Sequence, residues 1–210
     1  GVWAPQNTRE AIWDAMQRKE TFGTSGPMMK VRFFGGFDYA VDDVNKADFV
    51  KRAYAKGVPM GGDLKPVAGK VPTFLVMAMK DPKGGNLDRI QIVKGWLDAS
   101  GKQHEKIYDV VWSGDRKIGA DGKLPPVGNS VDVKTATYSN DIGAAQLAIG
   151  WIDPDFKAGE RAFYYARVLE IPTPRWNTYD AARLNMPALT NVPATIQERA
   201  WSSPIWYAPN

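Results

Sequence analysis

Arg161-Ala162-Phe163-Tyr164-Tyr165-Ala166-Arg167-Val168-Leu169-Glu170-Ile171 carries aromatic or aliphatic side chains on both faces of an extended chain. A strand that is apolar on both sides lies in the middle of a sheet, covered above and below. Arg167 and Glu170 then sit in apolar surroundings, where a lone charge is costly, so they are expected to be paired there. Outward from this stretch, Val131 to Tyr138, Gln146 to Ile152 and Ile205 to Tyr207 also read as strands. Ile90 to Leu97 and Ile107 to Trp112 flank Asp98-Ala99-Ser100-Gly101-Lys102-Gln103, a long hairpin loop. Thr73 to Met79 is a continuous apolar run and predicts a buried strand. Met29, Val31 and Phe33 alternate with Lys30 and Arg32, as in a half-buried strand. Many strands punctuated by Gly, Pro and Asp, with few helices, predict a mainly β fold, a β-sandwich or an open barrel.

Two helices are expected. Asn7-Thr8-Arg9-Glu10 reads as a start, with Asn7 as cap and Glu10 three residues on. Ala11, Ile12, Ala15 and Met16 then share a face, and Arg18 and Lys19 close the helix. The second lies near residues 46–56, capped by Asn45, with Ala47, Val50 and Tyr54 on one face and Gly57 just past its end. Val58-Pro59-Met60-Gly61-Gly62-Asp63 follows, a loop whose glycines need unusual backbone angles. A boundary is expected near Gly26-Pro27 or Gly35-Gly36, where the helical lead-in gives way to β structure.

Composition narrows the chemistry. With 210 residues, 44% hydrophobic and 24% charged, the chain is globular. It has no Cys, which excludes disulfides, zinc–thiolate sites, iron–sulfur clusters and a Cys nucleophile in this chain. Its single His, His104, excludes a metal cage built on several imidazoles. No apolar run approaches the ~18 residues of a membrane-spanning helix. The net charge is +4, but Lys and Arg are scattered, so no nucleic-acid partner is expected.

Individual constellations mostly have plain readings. Gly23-Thr24-Ser25-Gly26 is a near miss for a nucleophile elbow, and His104 reads as a solvated surface residue, not a base for Ser25. Asp42-Asp43 and Asp153-Pro154-Asp155 do not match a calcium loop and read as turn and cap residues. Arg175, Trp176 and the Gln197 to Trp206 segment, including Arg199, mix charge with aromatics. They form either an ion-pair network that docks the tail or a pocket wall whose arginines receive an anionic or polar substrate. Of the eight Trp, Trp3, Trp13, Trp151 and Trp201 sit in apolar patterns and read as core. Trp176, in a Pro-rich segment, is the stacking candidate.

Val2-Trp3-Ala4, Asn7 to Ile12 and Arg18 to Pro27 resemble the end of a PHP (polymerase and histidinol phosphatase) domain. Val58 to Leu64, Leu87 to Trp96, Tyr164 to Trp176 and Gln197 to Tyr207 are similar to stretches of a bacterial PHP-type metallohydrolase-like family of unknown function. Met28-Met29 depart from that pattern where a basic residue is expected after Gly26-Pro27. The resemblance implies that this chain is the C-terminal region of a metal-dependent hydrolase acting on phosphoesters or related esters. Residues 1–27 would be the terminal helix and strand of a PHP-like βα barrel, and residues 28–210 a β-rich C-terminal domain. No cofactor is expected in this chain; the divalent metals, Zn, Mn or Fe, would be held by upstream ligands. The implied partners are the N-terminal barrel portion of the same protein and a small ester or phosphoester substrate. Thr24, Ser25 and Asp63 are the candidates for reaching the barrel mouth, beside Arg175, Trp176 and Arg199. A periplasmic or secreted location is also implied. The rival expectations are a β-sandwich module that binds polysaccharide or another cell-envelope component through aromatics, and a purely structural interaction domain.

Overall fold

The computed structural model describes residues 1–209, so Asn210, the last residue of the expected C-terminal domain, lies outside the described residues. In chain order the elements are α1 (Arg9–Gln17), β1 (Phe22–Thr24), β2 (Lys30–Gly36), a 3₁₀ turn (Val41–Asn45), α2 (Phe49–Lys56), β3 (Val58–Pro59), β4 (Asp63–Leu64) and β5 (Thr73–Met79). They continue with β6 (Leu87–Leu97), β7 (Gln103–Trp112), β8 (Gln146–Ile152), β9 (Ala162–Glu170), β10 (Thr173–Pro174), α3 (Trp176–Leu184), β11 (Thr195–Ile196), β12 (Arg199–Ser202) and β13 (Ile205–Tyr207).

β9 is the centre of a seven-stranded sheet. One of its edges pairs with β6, which pairs in turn with β7. Its other edge is shared end to end by β12, opposite Arg167 to Leu169, and β13, opposite Ala162 to Tyr164. β1 lies outside β12, and β4 runs parallel outside β13. A four-stranded sheet, β3-β2-β5-β8, faces this one. Val31 and Phe33 of β2, Phe74, Val76 and Ala78 of β5, and Ile90, Ile92, Tyr164, Ala166 and Val168 of the larger sheet fill one shared core. The Phe74 and Tyr164 rings meet across the layers, 4.4 Å between centroids. On the far side of the smaller sheet, Phe34 and Leu75 pack against Val44, Phe49 and Ala53. β5 is thus buried on both faces, which explains its unbroken apolar run. The molecule is mainly β, and among the described residues neither sheet closes into a barrel.

Several local expectations are corrected. Thr8, not Asn7, caps α1, accepting from the Ala11 amide at 3.3 Å. Asn45 ends the 3₁₀ turn, and α2 begins after Asp48. Gly57 is extended, with φ near −167°, so no left-handed cap explains it. Close approach does: a Cβ there would fall 2.2 Å from the Tyr39 hydroxyl and 2.3 Å from the Gly35 carbonyl oxygen. Of the two glycines in the Met60 to Asp63 loop, Gly61 takes the left-handed region, φ +86°, but Gly62 does not, so the expected unusual angle holds at one of them only. Val131 to Tyr138 is not a strand. The Asp132 carboxylate accepts from the Lys134 and Thr135 amides, and this local turn outcompetes a ladder; only an Asp132–Thr137 bridge remains. α3 goes unpredicted, and Trp176 opens it. Trp13 is not core: it is 59% exposed, and of α1 only Ala15 is buried.

Candidate functional site

The β1–β12 pairing sets Thr24 opposite Ala200 and brings the next residue, Ser25, against the start of β12. The Ser25 amide donates to the Arg199 carbonyl at 2.9 Å, and its hydroxyl accepts from the Arg199 amide at 2.8 Å. The same hydroxyl donates to the Glu198 carboxylate. Ser25 is therefore held by a carboxylate and backbone, with no imidazole near. His104 pairs with Asp98 at 2.8 Å and stacks on Trp96, 5.2 Å between centroids. Through Trp96 it lies level with Ala162, seven residues along β9 from Leu169, which faces Arg199. At strand rise that is roughly 23 Å from Ser25, so no Ser-His-Asp triad forms.

Glu170 closes this edge. Its amide donates to the Glu198 carbonyl at 2.9 Å, and its side chain points inward, 1% exposed, with Oε1 unpartnered. The Gly84-Gly85 turn folds over the carboxyl: a Cβ at Gly84 would lie 3.0 Å from Oε1. Burial, then the charges of Glu198 and Asp81, push Glu170 up to about 7. Asp81 goes the other way, held below the usual carboxylate range by the Lys83 and Met28 amides. Gln197 ties the edge together, donating to the Glu170 carbonyl at 2.8 Å and to buried Asp88 at 2.9 Å. Asp88 in turn receives Arg116 at 2.6 Å and Arg89 at 3.1 Å.

Arg167 and Glu170 do not pair. Three residues apart in an extended chain, they point to opposite faces. Arg167 lies on the outer face, donating to Gln91 Oε1 at 2.8 Å, which continues into Asp109 and Arg89. The buried ion pair of this sheet is instead Lys94–Asp153, at 2.6 Å, with the Tyr164 hydroxyl donating to the same carboxylate at 2.8 Å. Asp153 therefore does more than shape a turn, although it also accepts the Asp155 amide. Asp43 accepts from the Ala40 amide and meets Lys56.

The other candidates divide. Thr24, Ser25 and Arg199 share the Glu170 end. Arg175 precedes α3, with its Nε buried and unpartnered, and Trp176 is 62% exposed. Asp63 lies at the opposite end, registered with Trp206. Trp206 faces Phe163, six residues of β9 away from the Arg199 register, or roughly 20 Å. Three neighbouring carboxylates make the Ser25 edge a poor receiver of anions. Its distinctive group is Glu170, which near pH 7 exchanges a proton with little driving force either way.

A second concavity escaped the sequence reading. Glu105 (β7), Gly95 (β6), Phe163 (β9), Trp206 (β13) and Asp63 (β4) form one row across the outer face of the large sheet. All of these but Asp63 border a groove of about 770 Å³ that Leu97, Gln103 and Arg161 also line. The Phe163 ring lies on Gly95: a Cβ there would fall 2.4 Å from its Cζ. Phe163 meets Trp206 at 5.3 Å and the nearly parallel Tyr165 ring at 6.5 Å. Alternation alone put Phe163 and Tyr165 on one face, but only the β9–β13 register adds Trp206.

Among the described residues no group of three or more His, Cys, Asp or Glu is placed to hold a metal ion, and no helix is long and apolar enough to cross a membrane. No curated protein and no solved structure matches the chain. One family model does, described as Protein of unknown function (DUF3604), over residues 1–209. Matched along nearly its whole length, the chain belongs to the DUF3604 family.

Proposed function

We propose that this chain is the β-rich C-terminal region of a PHP-type metal-dependent hydrolase of phosphoesters or related esters, and that it shapes substrate access. Among the described residues none are grouped to fit a metal cluster: the one imidazole is engaged with Asp98 and Trp96, and the carboxylates near Glu170 do not converge on a common point. The Zn, Mn or Fe ions of the resemblance would be held upstream. The observation that carries the reading is α1. Ile12, Trp13 and Met16, with Arg9, Glu10 and Asp14 around them, border a hollow of about 670 Å³ on a helix that buries only Ala15 in this chain. Exposed apolar surface of that kind marks a contact with another folded body, and in this reading the body is the barrel. The Ser25 edge is the part of the chain that would border the barrel mouth; with its carboxylates it would limit access there and would not itself hold the anionic ester, in a periplasmic or secreted protein.

Metal analysis and hydrolysis of bis(p-nitrophenyl) phosphate, on the protein with its upstream region and on residues 1–210 alone, test this. The longer protein is expected to retain divalent metal and hydrolyse the ester, and the shorter chain to do neither. Stoichiometric metal and turnover by residues 1–210 alone would overturn the reading.

A further inference from the structure

We infer that the groove on the outer face of the large sheet is a carbohydrate-binding site, which holds a pyranose chain over Phe163 and Trp206. The inference does not depend on the hydrolase reading. The sheet register puts two aromatic rings side by side with a carboxylate at each end of the row, Glu105 and Asp63. Gly95 lets Phe163 lie flat across the sheet, because any side chain there would displace the ring. Trp206 is 46% exposed although it sits between buried Ile205 and Tyr207, so its indole is presented outward, beside and tilted to the Phe163 ring. Tyr165 lies beside Phe163 on the same face, its ring nearly parallel at 11°.

The polar rim selects the ligand. Glu105 accepts hydrogen bonds, Arg161 donates them and Gln103 does both, and the three line the same groove. Glu105 and Arg161 are of opposite sign, which disfavours a strongly charged ligand and suits a neutral polyhydroxylated one. A sugar ring offers an apolar C–H face to an aromatic ring and hydroxyls at its edge to such side chains. The volume of about 770 Å³ falls within the usual range for small-molecule sites. The site binds and does not cleave. Glu105 and Asp63 are four inter-strand steps apart, roughly 19 Å, whereas glycoside hydrolysis needs carboxyl groups within about 10 Å.

Intrinsic tryptophan fluorescence and calorimetry on the 210-residue chain, with cellohexaose and chitohexaose as probes, test the site. Saturable binding to at least one probe is expected, with Kd on the order of 100 μM, and with no cleavage products by chromatography. Trp206→Ala should weaken it by at least about tenfold, while Trp206→Phe keeps most of it and Trp176→Ala leaves it unchanged. If Trp206→Ala does not fold, the exposed pair Glu105→Ala and Arg161→Ala provides the same reading, with a loss of several-fold expected. Absence of binding to both probes at millimolar concentration, or binding that survives these substitutions, would overturn the proposal.

Discussion

Glu170 shows how one buried carboxyl sets a pH response. Its proton is held up to about 7, against 4.5 for the ordinary group, because burial and the Glu198 and Asp81 charges oppose ionisation. The folded state therefore binds this proton more tightly than the unfolded chain. Between pH 4.5 and about 7 the native protein carries more of it, and stability falls as pH rises through that window. The shift corresponds to at most about 3 kcal/mol. Glu170→Gln keeps the shape and removes the charge. The variant should match wild type near pH 5 and exceed it in stability at pH 8, measured by urea unfolding at both values. If wild type and variant show parallel pH profiles, Glu170 ionises without penalty and the account fails. Gly95 offers a steric counterpart: Gly95→Ala places a methyl 2.4 Å from the Phe163 ring. Overpacking of that kind costs about 1–3 kcal/mol, and a lowered urea midpoint with displaced Phe163 resonances would register it. The facing of Arg167 and Glu170 was legible from their spacing alone, since odd separations in a strand change face. The enclosure of the Glu170 carboxyl, with Oε1 left unpartnered, was not, because it depends on the Gly84-Gly85 turn some eighty-five positions away in sequence.

At the scale of elements, legibility followed the hydrophobic period. β5, β6, β7, β8, β9 and β13 stand within a few residues of their expected places, because each is an apolar or alternating run of strand length, rich in β-branched and aromatic residues and bounded by turn residues. The 131–138 segment failed because side-chain-to-backbone bonds from Asp132 beat its β-branched residues, a competition that composition does not display. α3 failed because the Pro-rich lead-in hid it; its one sign was Asn185, which takes the left-handed cap at φ +50°. The strands β1 and β12 depend on partners about 180 residues apart, beyond the reach of local reading. Lys94 on β6 reaches the Asp153 turn after β8 and so pins the two sheets together across the core. With both side chains almost fully buried, removing one leaves a stranded charge. Lys94→Ala and Asp153→Ala should each cost about 3–5 kcal/mol, whereas the double alanine substitution should cost clearly less than their sum, because it strands no charge. Urea titrations of the three variants measure this. Additive losses would show that the pair is uncoupled.

For the whole molecule, the two sheets satisfy one another and α2 covers the second face of the smaller sheet, but α1 remains half-used. Its sequence has the apolar spacing of a core helix, with Ile12, Trp13 and Met16 beside Ala15, yet Trp13 is 59% and Met16 53% exposed. This arrangement separates two roles that substitution can tell apart. If the face serves only this chain, Trp13→Asp and Met16→Asp gain solubility and change stability by no more than about 0.5 kcal/mol, the usual range for surface positions. If it docks onto the upstream barrel, the same neutral result is expected for residues 1–210 alone. In the longer protein the charges would then be forced into an apolar contact, at a cost of several kcal/mol, and a lower melting temperature or exposure of the junction to protease would follow. Equal melting of the longer protein with and without the two substitutions would remove α1 as the docking face. The observation that carries the hydrolase reading would then be lost, while the groove over Phe163 and Trp206 would stand on its own measurements.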